Sequence, residues 1–595
     1  MATVALESLS RAFQETAAQC GEEIALRVEG GEQLSWRDYA ARVERIARGL
    51  AALGVGRGDS VVLMMVNRPE FNLCDTAAFH LGAVPFSIYN TSAPEQIEQI
   101  LANAAPRVAV CETQFAERLN AARGRSAIEH VVCVDGQPEG TLSLAALERD
   151  GDEQLDFESA WRAVGSDDLV TLIYTSGTTG PPKGVELTHA NLTAELRATT
   201  ALLPVLRGDR QISYLPSAHI ADRWASHYLA LATGMQVTSV ADARELSAVL
   251  PQVRPTVWGA VPRVWEKLKA SIEARIETEP DAARAAATRD AIAVGVRKVR
   301  AEQAAICGTG SGPDTELLAS HRLADERVLA GIRALIGLDE LRWAVCGAAP
   351  ISIETIEFFA ALGLPILELW GMSELSACAT INPPERIKFG TVGTALEGVE
   401  LRLAGDGELL CRGVILMRGY RSERQKTAEA IDADGWLHTG DIAEIDDEGY
   451  VRIVDRKKEL IINAAGKNMS PANIEARLKE SSSLIGQAVA IGDRRPYNVA
   501  LIVLDPDACA AYAAKHELGE GSAEALAADA GVCGAVAQAI ERANGRLARV
   551  EQIKRHAILP ADWLPGGDEL TPTMKLKRKP IAAKYAEQID TLYAG

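Results

Sequence analysis

A shortage of basic charge is the first feature that narrows what this chain can do. Its 595 residues carry 62 Lys and Arg against 81 Asp and Glu, a formal net charge of −19. It therefore lacks the excess positive charge that drives non-specific binding to nucleic acid. Cysteine is sparse and scattered. None of the 10 cysteines falls into a CxxC pair or at metal-ligand spacing to the histidines, which argues against a zinc site and against a disulfide framework. Reduced thiols in a cytoplasmic enzyme are the expectation. No run of about 18 uninterrupted apolar residues occurs, so no membrane span is predicted. The opening MATVALESLSRAFQE has neither a basic region nor a long apolar core, and no secretory leader is expected there.

What is present reads as several domains, since 595 residues exceed one compact core. Short apolar runs, SVVLMMVN (60–67), VAVCE (108–112) and HVVCVDG (130–136), alternate with amphipathic segments such as YAARVERIARGLAALG (39–54). The alternation predicts an α/β architecture with mostly parallel sheets. QISYLP (211–216), VWGAV (257–261), LRWAVCGAA (341–349) and PILELWG (365–371) continue it, and residues 265–335 read as a helical insertion. The insertion is broken at CGTGSGPD (307–314). The GxGxG there follows a helical pattern with no βαβ unit around it, so it reads as a linker rather than a dinucleotide site. From about 390 to 455 turn-rich short strands predict a small β subdomain. After DRKKE (455–459) the texture changes again.

Chemistry first shows at YTSGTTGPPKGVELTH (174–189), directly after LVTLIY. The glycines let backbone N–H groups approach an anion, the hydroxyls add donors, and Lys183 adds positive charge. A Walker loop requires Ser or Thr after GK, and Lys183 is followed by Gly184, so that pattern fails. A polar hairpin turn between strands is the plain alternative. Four more stretches stand downstream: ELWGMSE (368–374), GWLHTGD (435–441), VDRKKELII (454–462) and LTPTMKLKRKP (570–580). Singly, Glu374 reads as a helix-start acid, Asp441 as a turn residue and the lysines as solvated surface.

Together, in this order and spacing, the five stretches resemble the adenylate-forming superfamily of acyl-CoA synthetases, peptide-synthetase adenylation domains and firefly-type luciferases. LGAVPFSIYNTSAPEQI (81–97), YLPSAHIADR (214–223), VPRVWEKL (261–268), GKNMSPANIE (466–475) and the basic ending resemble its long-chain acyl-CoA synthetase branch. The resemblance implies a large N-terminal domain of mostly parallel sheets flanked by helices with a small β subdomain (1–457), and a small mobile α+β C-terminal domain (458–595). It implies ATP-dependent conversion of a long-chain or bulky carboxylic acid to acyl-AMP, then transfer to coenzyme A. An acyl-AMP ligase that loads a carrier-protein thiol and a non-catalytic adenylate- or acyl-binding module are the alternatives.

Residue by residue, the resemblance implies that Thr175, Ser176, Gly177, Thr178, Thr179, Gly180 and Lys183 cradle the ATP phosphates, and that Thr175 and Glu374 approach Mg²⁺. Gly347, Ala348 and Ala349, with Trp370, Gly371, Met372 and Ser373, enclose adenine. Asp441 and Arg456 hold the ribose, Lys458 is the hinge, and Lys575 is the catalytic lysine, with Lys577 the alternative. His219 lies near the acyl pocket; a core histidine is the plain reading. Some long-chain relatives place a gating Trp four residues after it, where this chain has Arg223, with Trp224 next. Fatty and steroid-like acids both stay open. No nucleic-acid partner is expected; peripheral membrane contact and a homodimer are allowed.

Overall fold

The computed structural model describes residues 7–175, 181–462, 468–564, 566–571 and 574–594. The chain divides into two compact units. The first comprises Met1–Ala348, Glu357–Leu401 and Cys411–Leu437; the second comprises Ala349–Ile356, Arg402–Leu410 and His438–Gly595.

In the first unit the apolar runs become the centre of an eight-stranded sheet. Its strands are β1 (Ser60–Met64), β2 (Val84–Ser87), β3 (Val108–Cys111), β4 (His130–Cys133), β5 (Leu142–Ser143), β6 (Leu169–Thr175) and β7 (Lys183–Thr188), with Gly419–Tyr420 at one edge. The order is Gly419–Tyr420, β7, β6, β2, β1, β3, β4, β5. Strands β1 to β6 pair in parallel. Every residue of β1 is buried, which is why VVLM (61–64) runs apolar without alternating. Helix α1 (Pro69–His80) is buried at every position but Glu70, and its polar Asn72, Asp75, Thr76 and His80 are buried with the rest. Strand β7 breaks the parallel pattern. It runs antiparallel to β6, with Thr175 opposite Lys183, and α2 (His189–Leu202) then starts under a Thr188–Asn191 capping box.

A second sheet begins with the parallel strands β8 (Val257–Ala260), β9 (Trp343–Cys346) and β10 (Ile366–Trp370) and ends with Thr380–Ile381 and Thr394–Ala395, both antiparallel. A third orders Arg210–Ser213, Gln236–Ser239, Ile24–Val28 and Gln33–Ser35. The insertion is helical: α3 (Pro262–Glu277), α4 (Ala282–Ile306) and α5 (Thr315–Ala324). CGTGSGPD joins α4 to α5, turning at Gly308 and Gly312 with φ of 69° and 85°. Among the described residues no helix is long and apolar enough to cross a membrane.

The second unit contains β11 from His438 onward (the strand spans Leu437–Ile445) and β12 (Val451–Arg456), then a three-stranded sheet of β13 (Ile485–Ile491), β14 (Asn498–Leu504) and β15 (Ile553–Leu559). Alternation along β13 and β14 sends residues to two cores. Ala488, Ala490, Ala500 and Ile502 pack with Ile474 and Leu478 of α6 (Pro471–Glu480) and Val536 and Ile540 of α7 (Ala530–Asn544). Val489, Leu501 and Val503 pack on the other face with Ile581 of α8 (Arg578–Lys584) and Ile589 of α9 (Ala586–Ala594).

Candidate functional site

The first unit assembles its site where β7, β10 and the Gly419–Tyr420 strand converge. Lys183 opens β7, and its Nζ lies 4.7 Å from the centroid of the Tyr420 ring, an attraction between cation and ring face. The same ring donates its hydroxyl to Glu374 Oε1 at 2.8 Å. Glu374 is buried in the short turn Ser373–Leu375 beyond β10, and its carbonyl accepts from the Met417 N–H at 2.8 Å. Burial and the neighbouring carboxylate push the Tyr420 phenol far above its ordinary range, so it stays a donor at any working pH. Sequence reasoning missed Tyr420; its only signal is MRGY, an ordinary strand end.

The turn around Glu374 is tight enough to need particular residues. A Cβ on Gly371 would lie 2.0 Å from the Ala377 carbonyl oxygen, and one on Gly347 would lie 2.5 Å from Leu369 Cδ1. Ala348, Ser376 and Ala377 take positive φ of 68°, 58° and 112°, a local strain that recurs where ligands are held. Trp370 closes β10 and is buried opposite Thr380, with Met372 and Ser373 in the turn that follows. Thr175 ends β6 across from Lys183. Ser176, Gly177, Thr178, Thr179 and Gly180 lie outside the described residues. The structure thus brings Lys183 and Glu374 together through Tyr420. Ala349 lies in the other unit.

His219 is half-buried and caps a short helix: its Nδ1 accepts from the Ala221 N–H at 3.1 Å, which leaves the ring proton on Nε2 when the ring is neutral. Behind it, Arg223 is completely buried in a π-helical turn, Arg223–Tyr228. The guanidinium pairs with Asp75 at 2.6 Å and donates to Ser87 Oγ at 3.0 Å, Tyr228 Oη at 2.9 Å and the Ser217 carbonyl at 2.9 Å. Asn67 holds the Leu215 carbonyl at 2.7 Å. The loop carrying His219 is therefore gripped at two carbonyls. Trp224, beside Arg223, is 4% exposed.

In the second unit Asp441 on β11 faces Arg456 on β12 in register. Arg456 Nε lies 2.8 Å from the buried Asp441 carboxylate. Lys457 pairs with Asp406 at 2.5 Å and Glu408 at 2.9 Å, and Lys458 follows in an exposed turn closed by the Glu459 N–H on the Arg456 carbonyl at 2.9 Å. The two C-terminal lysines have different surroundings. Lys577 Nζ is spent on the Gly567 carbonyl at 2.8 Å. Lys575 is exposed beside a tight turn, after Met574 at φ 64°. Among the described residues no three His, Cys, Asp or Glu side chains cluster as a metal site.

These sites sit on a pattern with known relatives. The sequence pattern described as AMP-binding enzyme matches residues 13–421, and that described as AMP-binding enzyme C-terminal domain matches residues 458–595. The chain belongs to the AMP-binding enzyme family. Among its relatives, the putative fatty-acid--CoA ligase fadD11 of Mycobacterium tuberculosis is 55% identical over 458 residues, 77% of this chain and 79% of the relative. The long-chain-fatty-acid--CoA ligase FadD15 of Mycobacterium bovis is 36% identical over 561 residues, 93% and 91% of the two chains. In fold, this AMP-binding enzyme is similar to a crystal structure of the anthranilate CoA ligase AuaEII in complex with anthranoyl-AMP, with a TM-score of 0.74 at 20% identity over 99% of each chain. A Mycobacterium tuberculosis fatty acyl CoA synthetase structure matches with a TM-score of 0.61 at 22% identity, covering 98% of this chain and 99% of that one. The expected α/β fold, with a large N-terminal and a smaller C-terminal domain, agrees with these matches.

Proposed function

We propose that this AMP-binding enzyme joins a long-chain or bulky carboxylic acid to coenzyme A at the expense of ATP. In the first step a carboxylate oxygen bonds to the α-phosphorus, the bond to the bridging oxygen breaks, and diphosphate leaves with acyl-AMP formed. In the second the coenzyme A sulfur, losing its proton to solvent, bonds to the acyl carbon and AMP departs. The observation that carries the reading is the Lys183–Tyr420–Glu374 arrangement at the end of the glycine- and hydroxyl-rich hairpin, found in a chain of this family. The names of the relatives favour fatty acids.

The first step brings two anions together, so positive charge must be pre-placed. Lys183 serves the β- and γ-phosphates, and Lys575 serves the carboxylate and α-phosphate; Lys577, tied to Gly567, braces the hairpin instead. Glu374 and Thr175 are hard oxygen donors of the kind Mg²⁺ takes, and Glu374 is already fixed by Tyr420. Together they would hold Mg²⁺, which would further neutralise the phosphate charge. Asp441, fixed by Arg456, accepts from the ribose hydroxyls, and His219 stands at the acid's entry. Residues 458–595 form the small domain, turning at Lys458 between the two steps.

The test is product analysis with ATP, Mg²⁺ and acids from acetate through palmitate to steroid and aryl acids, with and without coenzyme A. Acyl-CoA and AMP from one class of acid are expected. Acyl-AMP that accumulates and ignores coenzyme A would mean a carrier-protein ligase, and no adenylate from any acid would mean a substrate outside the panel or a binding module. Lys575→Ala is expected to slow acyl-AMP formation by roughly 10²–10³-fold and to spare the reaction of preformed acyl-AMP with coenzyme A.

A further inference from the structure

We propose that Arg578 is a positioning residue for Lys575: its guanidinium locks the hairpin bearing the lysine to the segments that follow the hinge, and so places the lysine for acyl-AMP formation. The inference rests on the role given to Lys575 above.

The hairpin is closed at its base. Leu570 and Leu576 form an antiparallel bridge, the Lys577 N–H donates to the Glu569 carbonyl at 2.7 Å, and the Thr571 N–H donates to the Lys575 carbonyl at 2.8 Å. The Lys575 N–H donates to Thr571 Oγ1 at 3.0 Å. These bonds fix the lysine relative to its own hairpin. Lys577 on Gly567 and Lys584 on Glu569 at 2.6 Å are likewise local. Leu570 and Leu576 pack the hairpin against the sheet core with Leu501 and Val503, but none of these contacts ties it to α6 or to the turn at Lys458.

Arg578, the first residue of α8 and three after Lys575, makes that connection. Its Nη1 and Nη2 reach Glu475 Oε1 and Oε2 at 2.5 and 2.8 Å, and its Nε reaches Glu459 Oε2 at 3.2 Å. One planar fork thus serves two carboxylates far away in sequence, a geometry that lysine cannot reproduce. Glu475 is 5% exposed, lies on α6, and also accepts from the Ala490 N–H of β13 at 2.8 Å. Glu459 directly follows Lys458. The guanidinium therefore joins three pieces: the lysine's hairpin, the α6–β13 core and the turn of the hinge. A simple strut between helix and sheet would need Glu475 alone; the third contact reaches the residue that follows the hinge.

The experiment measures the two half-reactions separately, in single turnovers of the full chain, for Arg578→Met, Arg578→Lys, Glu459→Gln and the control Lys575→Ala. Arg578→Met is expected to slow acyl-AMP formation by roughly 10²-fold, the scale of a small misplacement of a reacting group, with the KM values for ATP and acid unchanged. Its reaction of preformed acyl-AMP with coenzyme A is expected at the parent rate, and Arg578→Lys falls between parent and Met variant. Equal losses in both half-reactions, or none in a folded variant, would overturn the proposal by reducing Arg578 to a stabilising contact. Should Arg578→Met fail to fold, Glu459→Gln decides. Its carboxylate is partly exposed, and a loss confined to acyl-AMP formation supports the proposal whereas parent rates in both steps overturn it. If Lys575→Ala forms acyl-AMP normally, the reading of Lys575 itself falls. If Lys575→Ala is slow and Arg578→Met is not, only this inference falls.

Discussion

Tyr420 connects the two charged groups of the first unit, with its ring face toward Lys183 and its hydroxyl on Glu374. Tyr420→Phe separates these two contributions, because phenylalanine keeps the ring and loses the donor. A hydrogen bond to a charged group is worth about 1.5–3 kcal/mol, so acyl-AMP formation is expected to fall by roughly 10–100-fold while the cation still finds its ring. Single-turnover rates check this, and a parent-like rate would mean the hydroxyl is idle. Lys183 stood out in the sequence because glycines, hydroxyls and a lone lysine crowd after a strand, whereas Glu374, singly a helix-start acid, stood out only through the family resemblance. Tyr420 did not. A single tyrosine ending a short strand has an ordinary packing explanation, and only the pairing of Tyr420 with Val185 across the sheet brings it to the site. Arg223, which the sequence shows only as standing where some long-chain relatives place a gating Trp, is completely buried against Asp75.

Among the elements, the turn Arg456–Glu459 carries the most specific expectation. Its closing bond puts Lys457 and Lys458 at the two central positions, and Lys457 is tethered to Asp406 and Glu408. Proline at the third position of such a turn removes an N–H and restricts the residue before it. Lys458→Pro is therefore expected to restrict the backbone at the hinge and slow the reaction of preformed acyl-AMP with coenzyme A, leaving acyl-AMP formation close to the parent, as a hinge role requires. Lys458→Ala, which restricts nothing, is expected to keep both steps. Thioester formation at the parent rate in the proline variant would place the hinge elsewhere. The parallel strands were readable from their length and continuous apolarity, and the insertion from its helical period. The antiparallel return of β7 on β6 is the strand–turn–strand geometry of the plain alternative, a polar hairpin turn. The π-helical turn at Arg223–Tyr228 was not readable, since it depends on the buried partners of Arg223.

For the whole molecule, buried carboxyls govern how stability varies with pH. Glu195 on α2 is completely buried, with Oε1 accepting from Thr199 Oγ1 at 2.7 Å and the Trp224 indole and Cys378 as neighbours. Burial pushes its pKa from 4.5 up to about 8. Glu368 on β10, which accepts from the Gly390 N–H at 3.2 Å, is pushed up to about 8 by the same cause. Between these values the folded chain keeps protons that the unfolded chain releases. Stability from both groups is thus complete below about 4.5, declines as pH rises, and is lost once pH passes about 8. The paired acids act at the other end: Arg333 holds Asp325 below its ordinary value, so its contribution is lost only as pH falls through the acid range. Glu195→Gln keeps the shape of the neutral side chain and cannot ionise. Its melting temperature is expected to exceed the parent's at pH 8 and to converge on it as pH falls toward 4.5. A difference between the two proteins that stays constant with pH would mean that Glu195 is ionised in the folded chain, and that the Thr199 hydroxyl and the Trp224 indole offset the cost of burying its charge.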